Sequence, residues 1–120
     1  MLRPIVRLMP NKAVQLDCVF RALGDPTRRA VLGRLSSGPA PVSELARPFD
    51  MALPSFTQHL AVLENCGLVR SQKTGRVRIF QLVPQPLKAA ERWMVDQRAL
   101  WERRLDQLDT YLNDLKERQR

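Results

Sequence analysis

The chain has few of the residues that build metal sites and catalytic centres. Its 120 residues include one histidine, His59, and two cysteines, Cys18 and Cys66. A zinc site needs three or four converging His, Cys or carboxylate ligands, and nucleophilic catalysis needs a Ser or Cys beside a base. None of the five glycines forms a phosphate-binding loop. We therefore expect no enzyme activity, no bound metal and no cofactor.

Long apolar runs are also missing. No segment approaches the roughly 18 apolar residues of a membrane span. The opening MLRPIVRLMP is interrupted by Pro4, Arg7 and Pro10 before it could form the apolar core of a signal peptide. We therefore expect a cytoplasmic protein with no membrane association. In a reducing cytosol, two cysteines far apart in sequence are expected to be separate, partly buried thiols.

The positive charge of the chain is concentrated in one short segment. The formal net charge is +8, and residues 67–83 contain four Lys or Arg and no acidic residue. A local basic strip on a small protein suggests a polyanion as partner. A membrane surface or a solvated face has the same composition, so charge alone does not decide between them.

Hydrophobic spacing predicts two amphipathic helices at the start of the chain. Residues 12–23 carry apolar side chains at helical spacing, and Gly24 ends the run. Asp25 followed by Pro26 is typical of an N-cap and a first helical residue, so a second helix is predicted to begin there.

Two further helices separated by a short turn are predicted next. Ser43 is expected to cap a short third helix that ends near Pro48. A tight turn over residues 50–53 leads to a fourth helix over residues 54–66, which Gly67 ends in a left-handed conformation. Two helices joined by a short turn form the helix-turn-helix pattern.

The remaining sequence predicts a hairpin and one long helix. After residue 67 apolar and polar residues alternate, with Thr74 and Gly75 at a basic turn. Residues 87–118 form the long helix, whose apolar side chains recur at heptad spacing. A small domain has too little other surface to bury such a stripe, so we favour a homodimer seam over the monomer's own core. The seam residues are Met94, Trp101, Leu105, Leu108, Leu112 and Leu115.

This order of elements is that of a winged helix-turn-helix domain, a fold that is mainly α with a small β-hairpin. We expect an N-terminal arm over residues 1–11, the winged domain over residues 12–83 and a C-terminal dimerisation helix over residues 84–120. All three are expected to belong to one compact unit.

Three segments resemble the ArsR-type (arsenic-repressor-like) bacterial transcriptional regulators: DPTRRAVLGRL, VSELARPFDMALPSFTQHLAVLENCGLV and RIFQL. The tail ERWMVDQRALWERRLDQLDTYL is similar to a branch of that family without the metal ligands of its founding members. The resemblance implies a homodimer that binds a palindromic operator in double-stranded DNA, and represses until an inducer releases it. Metal sensors of the family carry a Cys pair in the third helix, where this chain has Glu44, Leu45, Ala46 and Arg47.

The fourth helix is the candidate DNA-reading element. At about 100° per residue, Phe56, Leu60 and Leu63 fall on one side, which is expected to be buried. Short polar side chains on the other side suit a major groove, where Gln can bond an adenine edge; an ordinary solvated face is the alternative. The candidate residues of this helix are Ser55, Thr57, Gln58 and His59.

Two positions of the fourth helix weaken this interpretation. His59 lies at the boundary of the apolar side, where a histidine is more often packed or bonded to phosphate than a metal ligand. Ala52 stands where similar sequences often have Ser, and losing such an N-cap typically costs about 1 kcal/mol. Either Asp50 or Ser55 therefore compensates for the missing cap, or the start of the fourth helix is frayed near Ser55.

The hairpin supplies charge without base readout. Lys73, Arg76 and Arg78 can neutralise phosphates, and Arg76 at the tip is best placed to enter a minor groove. A solvated charged turn is the alternative. Arg28 and Arg29, in the first turn of the second helix, are further candidates for a phosphate contact.

Two other functions remain open from the residues. A winged helix can serve as an interaction module for protein or RNA, and such a module would tolerate loss of the basic hairpin. A thiol-redox-responsive regulator that uses Cys18 and Cys66 is the other alternative.

Overall fold

The computed structural model describes residues 12–119, with side chains described from residue 15 onward. The predicted arm over residues 1–11 lies outside the described residues. The fold is mainly helical with a small antiparallel sheet and a long last helix, which confirms the predicted class. In chain order the elements are α1 (Lys12–Leu23), α2 (Pro26–Leu35), β1 (Ala40–Pro41), α3 (Val42–Ala46), α4 (Leu53–Asn65), β2 (Val69–Thr74), β3 (Val77–Leu82) and α5 (Gln85–Arg118).

The start of α2 has the predicted N-cap. Asp25 adopts an extended backbone conformation, and its carboxylate accepts a hydrogen bond of 3.0 Å from the backbone amide of Arg28. Pro26 follows as the first helical residue, where its fixed φ suits the helix and its missing N–H leaves no donor unpaired. The Asp-Pro pair therefore sets the helix boundary as predicted.

The starts of α3 and α4 lack side-chain caps. The prediction that Ser43 caps α3 was wrong: the helix begins at Val42 after Pro41, and no side-chain cap bond forms. The physical reason is that the chain enters α3 directly from the extended strand β1. The weakly capped start of α4 is confirmed, because Ala52 stands at the N-cap position of Leu53–Asn65 without a side-chain bond.

The sheet has three strands in the order β1-β3-β2, and both pairings are antiparallel. β2 and β3 are the predicted hairpin, with Thr74 opposite Val77 and Gly75 at φ +64° in the turn. β1 was not predicted, because it has only two residues and one is a proline. Its pairing of Ala40 with Phe80 places the start of α3 beside β3.

The core lies where α1, α2 and α4 meet the sheet. Phe49, in the turn between α3 and α4, packs its ring against that of Phe56 with centroids 5.5 Å apart. Burial of apolar side chains in this core removes their surface from water, which stabilises the fold by about 25 cal/mol for each Å² buried. The buried apolar residues before α5 include Val19, Ala22, Val31, Leu32, Leu35, Ala40, Leu45, Phe56, Leu60, Leu63, Leu68, Val69 and Phe80.

Cys18 and Cys66 form a disulfide bond, so the expectation of two separate thiols was wrong. The two Cα atoms are 5.5 Å apart although 48 positions separate the residues in sequence. α1 carries Cys18, and Cys66 is the residue at which α4 ends. Packing of the two helices brings the cysteines together, which their distance in sequence could not indicate.

The chain divides into two compact units between Ala89 and Ala90, whereas the sequence suggested one. The second unit is the greater part of α5, and its large side chains from Trp93 onward are mostly exposed. Among the described residues, no helix is long and apolar enough to cross a membrane.

We expect Asp25→Ala to lower the free energy of unfolding by about 1 kcal/mol at neutral pH, because α2 loses its N-cap bond. Burial by itself raises the pKa of Asp25, but the amide of Arg28 and the nearby His59 and Arg28 side chains bring that pKa below its ordinary value. A carboxylate whose pKa is lowered by folding stabilises the protein above its unfolded pKa. That contribution is lost as the pH falls through the folded-state pKa.

Urea unfolding at neutral and at acidic pH measures this contribution. The matched control is Asp17→Ala, which removes an exposed carboxylate from the surface of α1. The difference between the two variants should shrink at acidic pH. Equal stability of the two variants at neutral pH would show that Asp25 does not cap α2.

Candidate nucleic-acid interface

α4 has one buried side and one exposed side, as its sequence predicts. Phe56 and Leu63 are fully buried and Leu60 is 2% exposed. Ser55 and Gln58, three positions apart and therefore neighbours on the helix surface, are exposed. Within the described part of the chain neither side chain forms an internal hydrogen bond, so both keep their donors and acceptors for a ligand.

Thr57 is exposed beside them but is partly committed to its own helix. Its hydroxyl donates a hydrogen bond of 3.0 Å to the carbonyl oxygen of Pro54. The hydroxyl oxygen can still accept, and the methyl group remains available for apolar contact with a thymine methyl. Thr57 therefore differs from Ser55 and Gln58 in what it can offer to a base edge.

His59 lies at the edge of the buried side, in contact with the junction between α1 and α2. Arg28 donates from Nη1 to Nδ1 of His59 at 3.2 Å, and Asp25 Oδ2 lies 3.7 Å from the same nitrogen. A guanidinium can only donate, so this hydrogen bond requires Nδ1 as the acceptor, the tautomer in which Nε2 carries the ring proton. His59 is thus held in place through one nitrogen and keeps a donor on the other.

Arg28 holds the end of α1 as well as His59. Its Nε donates to the carbonyl oxygen of Ala22 at 2.7 Å, and its Nη2 donates to that of Arg21 at 3.1 Å. These carbonyls belong to the last turn of α1, where helix carbonyls lack the usual partner four residues on; that of Arg21 also accepts from the amide of Gly24 at 3.2 Å. Arg29 binds the carbonyl oxygen of Leu23 at 2.7 Å in the same way. Both arginines therefore serve the junction between helices, a role their sequence position does not reveal.

The three predicted basic residues of the hairpin differ in whether they bind another side chain of the domain. Lys73 and Arg76 are exposed, and neither has an internal partner in the described region. Arg78 donates to the hydroxyl of Ser71 at 2.9 Å, and that hydroxyl donates to Glu64 of α4 at 2.8 Å. The hairpin is thereby tied to the last turn of α4. No sequence pattern indicated that Ser71 and Glu64 would connect the hairpin to α4.

The predicted seam residues of α5 form an apolar stripe along the second unit. Trp101 is 63% exposed and Leu105 is 61% exposed. Trp93, Val95 and Tyr111 also expose large apolar surface, which the heptad pattern did not include. The other seam residues that are exposed are Met94, Leu108 and Leu112, while Leu115 is half-buried.

The described residues contain no group of three or more His, Cys, Asp or Glu side chains that could hold a metal ion. In α3, where metal sensors of the ArsR family are expected to carry a Cys pair, this chain has Glu44, which pairs with Arg34 at 2.8 Å. The hydrogen bond from Arg34 and its charge lower the pKa of Glu44 below its ordinary value. Glu44 therefore belongs to an ion pair between α2 and α3.

Comparison with known proteins shows that this chain is similar to helix-turn-helix transcriptional regulators. A family profile described as a helix-turn-helix domain matches residues 23–72. The HTH-type transcriptional regulator Rv2034 of Mycobacterium tuberculosis is 44% identical over 73 residues, which cover 61% of this chain and 68% of the relative. The transcriptional repressor SdpR of Bacillus subtilis is 30% identical over 81 residues, covering 68% of this chain and 90% of SdpR.

A solved structure is also similar. The crystal structure of an ArsR family transcriptional regulator superposes with a TM-score of 0.73 at 56% sequence identity. The match covers 78% of this chain and 97% of that one.

Proposed function

The chain belongs to the ArsR family of helix-turn-helix transcriptional regulators, which bind DNA and are not enzymes, and from that premise we propose that it is a repressor acting in the cytoplasm. It binds a palindromic operator as a homodimer, without a metal, until an inducer releases it. The observation that carries the proposal is the position of α4. Its apolar side is buried in the core, and Ser55 and Gln58 face outward with their polar groups unpaired within the described residues.

In this proposal α4 supplies base readout and the hairpin supplies affinity. Gln58 has both an amide donor and an acceptor, which fit the N7 and N6 positions of adenine. Ser55 lies one turn earlier and contacts a base or phosphate, while the Nε2 proton of His59 suits a phosphate oxygen. Lys73 and Arg76 at the hairpin tip neutralise phosphates and release counterions. Arg78 contributes charge while it fixes the hairpin to α4.

The proposed homodimer is supported by the exposed apolar side chains of α5. An apolar stripe spaced at four and three residues fits the seam of two supercoiled helices. A second copy of the same stripe covers it by two-fold symmetry. A two-fold dimer places two copies of α4 about one DNA turn apart, roughly 34 Å, and therefore requires a palindromic site.

Metal independence is supported by the residues at the positions where metal ligands would be needed. α3 carries the Arg34–Glu44 ion pair, and the disulfide engages both Cys18 and Cys66. A structural zinc site requires three or four thiolate, imidazole or carboxylate ligands on one ion. The described residues do not assemble such a set.

The disulfide favours a second candidate function, regulation by thiol redox state. The Cys18–Cys66 bond fixes the end of α4 to α1. Reduction by a dithiol breaks the sulfur–sulfur bond, gives two protein thiols and leaves the reductant as a disulfide. Because α4 is the proposed reading element, release of its end provides a route from redox state to operator affinity. A permanent structural crosslink is the alternative role of the same bond.

Gln58→Ala should reduce discrimination between the operator and a site altered at one base pair by about tenfold, because one bidentate base contact is lost. Arg76→Ala should weaken binding to all sequences and make the salt dependence less steep by about one unit of slope. Operators selected from random genomic fragments, followed by titration at several salt concentrations, measure both effects. Arg103→Ala, an exposed arginine of α5, is the control.

The site assignment fails if folded Gln58→Ala and Arg76→Ala proteins bind the operator and its altered form like the parent. A partner that is protein or RNA would be indicated if no duplex DNA fragment is enriched by the parent protein.

Leu105→Glu should convert the dimer into a monomer at micromolar concentration, since it places a charge in the apolar seam. Gln107→Glu introduces the same side chain at an exposed position outside the predicted seam and should leave the dimer intact. Sedimentation equilibrium of the parent and both variants gives the masses. A monomeric parent, or equal dissociation of the two variants, would contradict the α5 seam.

Reduction of the disulfide should lower the free energy of unfolding by about 4 kcal/mol on the loop-entropy scale for a loop of this length. If the redox candidate is right, dithiothreitol and a Cys18→Ser/Cys66→Ser variant should change operator affinity in the same direction and to a similar extent. Titration of the oxidised, reduced and variant proteins with one operator makes the comparison. Equal affinity of all three would leave the bond a structural crosslink and reject redox regulation.

A further inference from the structure

A cleft of about 370 Å³ lies between α2, α3 and the turn that leads to α4. Its volume falls in the range of small-ligand sites. The walls are almost entirely apolar, and the deepest side chains are Val31, at 1% exposure, and Leu45, at 2%. The ring of Phe49 forms the wall nearest to α4. The cleft is therefore suited to an apolar body of modest size.

The rim of the cleft carries one positive charge in excess. Arg34, Glu44 and Arg47 are the charged residues that line it. Arg34 is committed to Glu44 at 2.8 Å and to the carbonyl oxygen of Gly38 at 3.3 Å. Arg47 is exposed and forms no salt bridge within 4.0 Å in the described part of the chain, although its charge, with that of Arg34, helps to lower the pKa of Glu44. A guanidinium beside an apolar cavity is complementary to a molecule with one carboxylate and an apolar body.

We propose that this cleft binds a small amphipathic anion, whose apolar body packs on Val31, Leu45 and Phe49 and whose carboxylate pairs with Arg47. Aromatic and short branched aliphatic carboxylates are the ligand class that fits both the walls and the charge. A cationic ligand would meet the excess guanidinium, and a strongly polar ligand would leave its hydrogen-bonding groups unpaired against the apolar walls.

The cleft is connected to the proposed DNA-reading surface through two aromatic rings. Phe49 lines the cleft and packs on Phe56 with centroids 5.5 Å apart. Phe56 is fully buried and stands in the first turns of α4, between Ser55 and Thr57. α4 begins without a side-chain cap, so the packing of Phe49 on Phe56 is one of the few contacts made by the turn that leads into the helix. A ligand that displaces Phe49 therefore shifts the residues proposed to contact bases, so the site acts as the inducer site of the proposed repressor.

The direct test compares 1-naphthoate with 1-naphthamide, two probes of the same shape that differ in charge. Isothermal titration of the whole protein without DNA should show saturable binding of naphthoate, about tenfold tighter than naphthamide. Arg47→Gln should abolish this preference while leaving naphthamide binding unchanged. Ala30→Phe, which places a ring in the cleft from α2, should abolish binding of both probes. Arg103→Gln is the matched control for the loss of one exposed arginine.

Equal affinity of the two probes for the parent protein overturns the charge assignment. Absence of saturable naphthoate binding up to about 1 mM, or undiminished binding by folded Ala30→Phe, overturns the site. Circular dichroism establishes whether each variant is folded, and the Arg47→Gln comparison tests the site even if Ala30→Phe does not fold.

The regulatory part of the inference rests on the proposed function and has its own readout. Naphthoate at saturation should weaken operator binding at least about fivefold, and Arg47→Gln should remove that effect. Unchanged operator affinity with naphthoate bound overturns the coupling. Failure of naphthoate binding in a protein that binds its operator rejects the cleft alone. Normal naphthoate binding by a protein that binds no duplex DNA rejects the proposed function alone.

Discussion

Burial of one side of α4 is the constraint on which the rest of the structure depends. The helix has 13 residues and no side-chain cap, and a helix of this length is marginal in isolation. Its orientation is therefore set by the insertion of Phe56, Leu60 and Leu63 into the core. Once that side is fixed, Ser55 and Gln58 must face outward. The same packing that stabilises the domain thus determines which side chains of α4 are exposed at the surface proposed to contact DNA.

Three contacts keep α4 in register with its neighbours. His59 contacts Arg28 at the junction of α1 and α2. Glu64 accepts a hydrogen bond from the hydroxyl of Ser71 in the hairpin, and the disulfide holds the end of the helix. Each contact joins α4 to a different part of the domain. Movement of the hairpin, of α1 or of α2 is consequently transmitted to the same helix. Such an arrangement suits a regulator, because ligands at separate places can act on one surface.

The spacing of apolar residues and the residues that begin or end helices predicted most of the fold. The apolar spacing of α1 and α4, the Asp25–Pro26 start and the glycine stop at Gly67, with φ +76°, are local features, and the structure has each of them. The errors fall where distant parts of the chain meet. β1 exists only because it pairs with β3, and that pairing also removes the expected cap at Ser43.

The candidate site was only partly accessible to sequence reasoning. The pattern separated the buried and exposed sides of α4, since helical geometry alone decides them. It could not show that Arg78 is engaged with Ser71, or that Arg28 is engaged at a helix junction, because these contacts depend on side chains brought together by folding. The cysteine pairing was missed for the same reason, and the cleft beside Arg47 has no linear signature.

Contact between the exposed side of α4 and DNA can be observed by titrating the isotope-labelled protein with its operator and recording the backbone amide signals in two-dimensional NMR. We expect the largest changes at residues 55–59 and in the hairpin over residues 73–78, with small changes along the exposed stripe of α5. Large changes confined to other surfaces, with the exposed side of α4 unaffected, would contradict it.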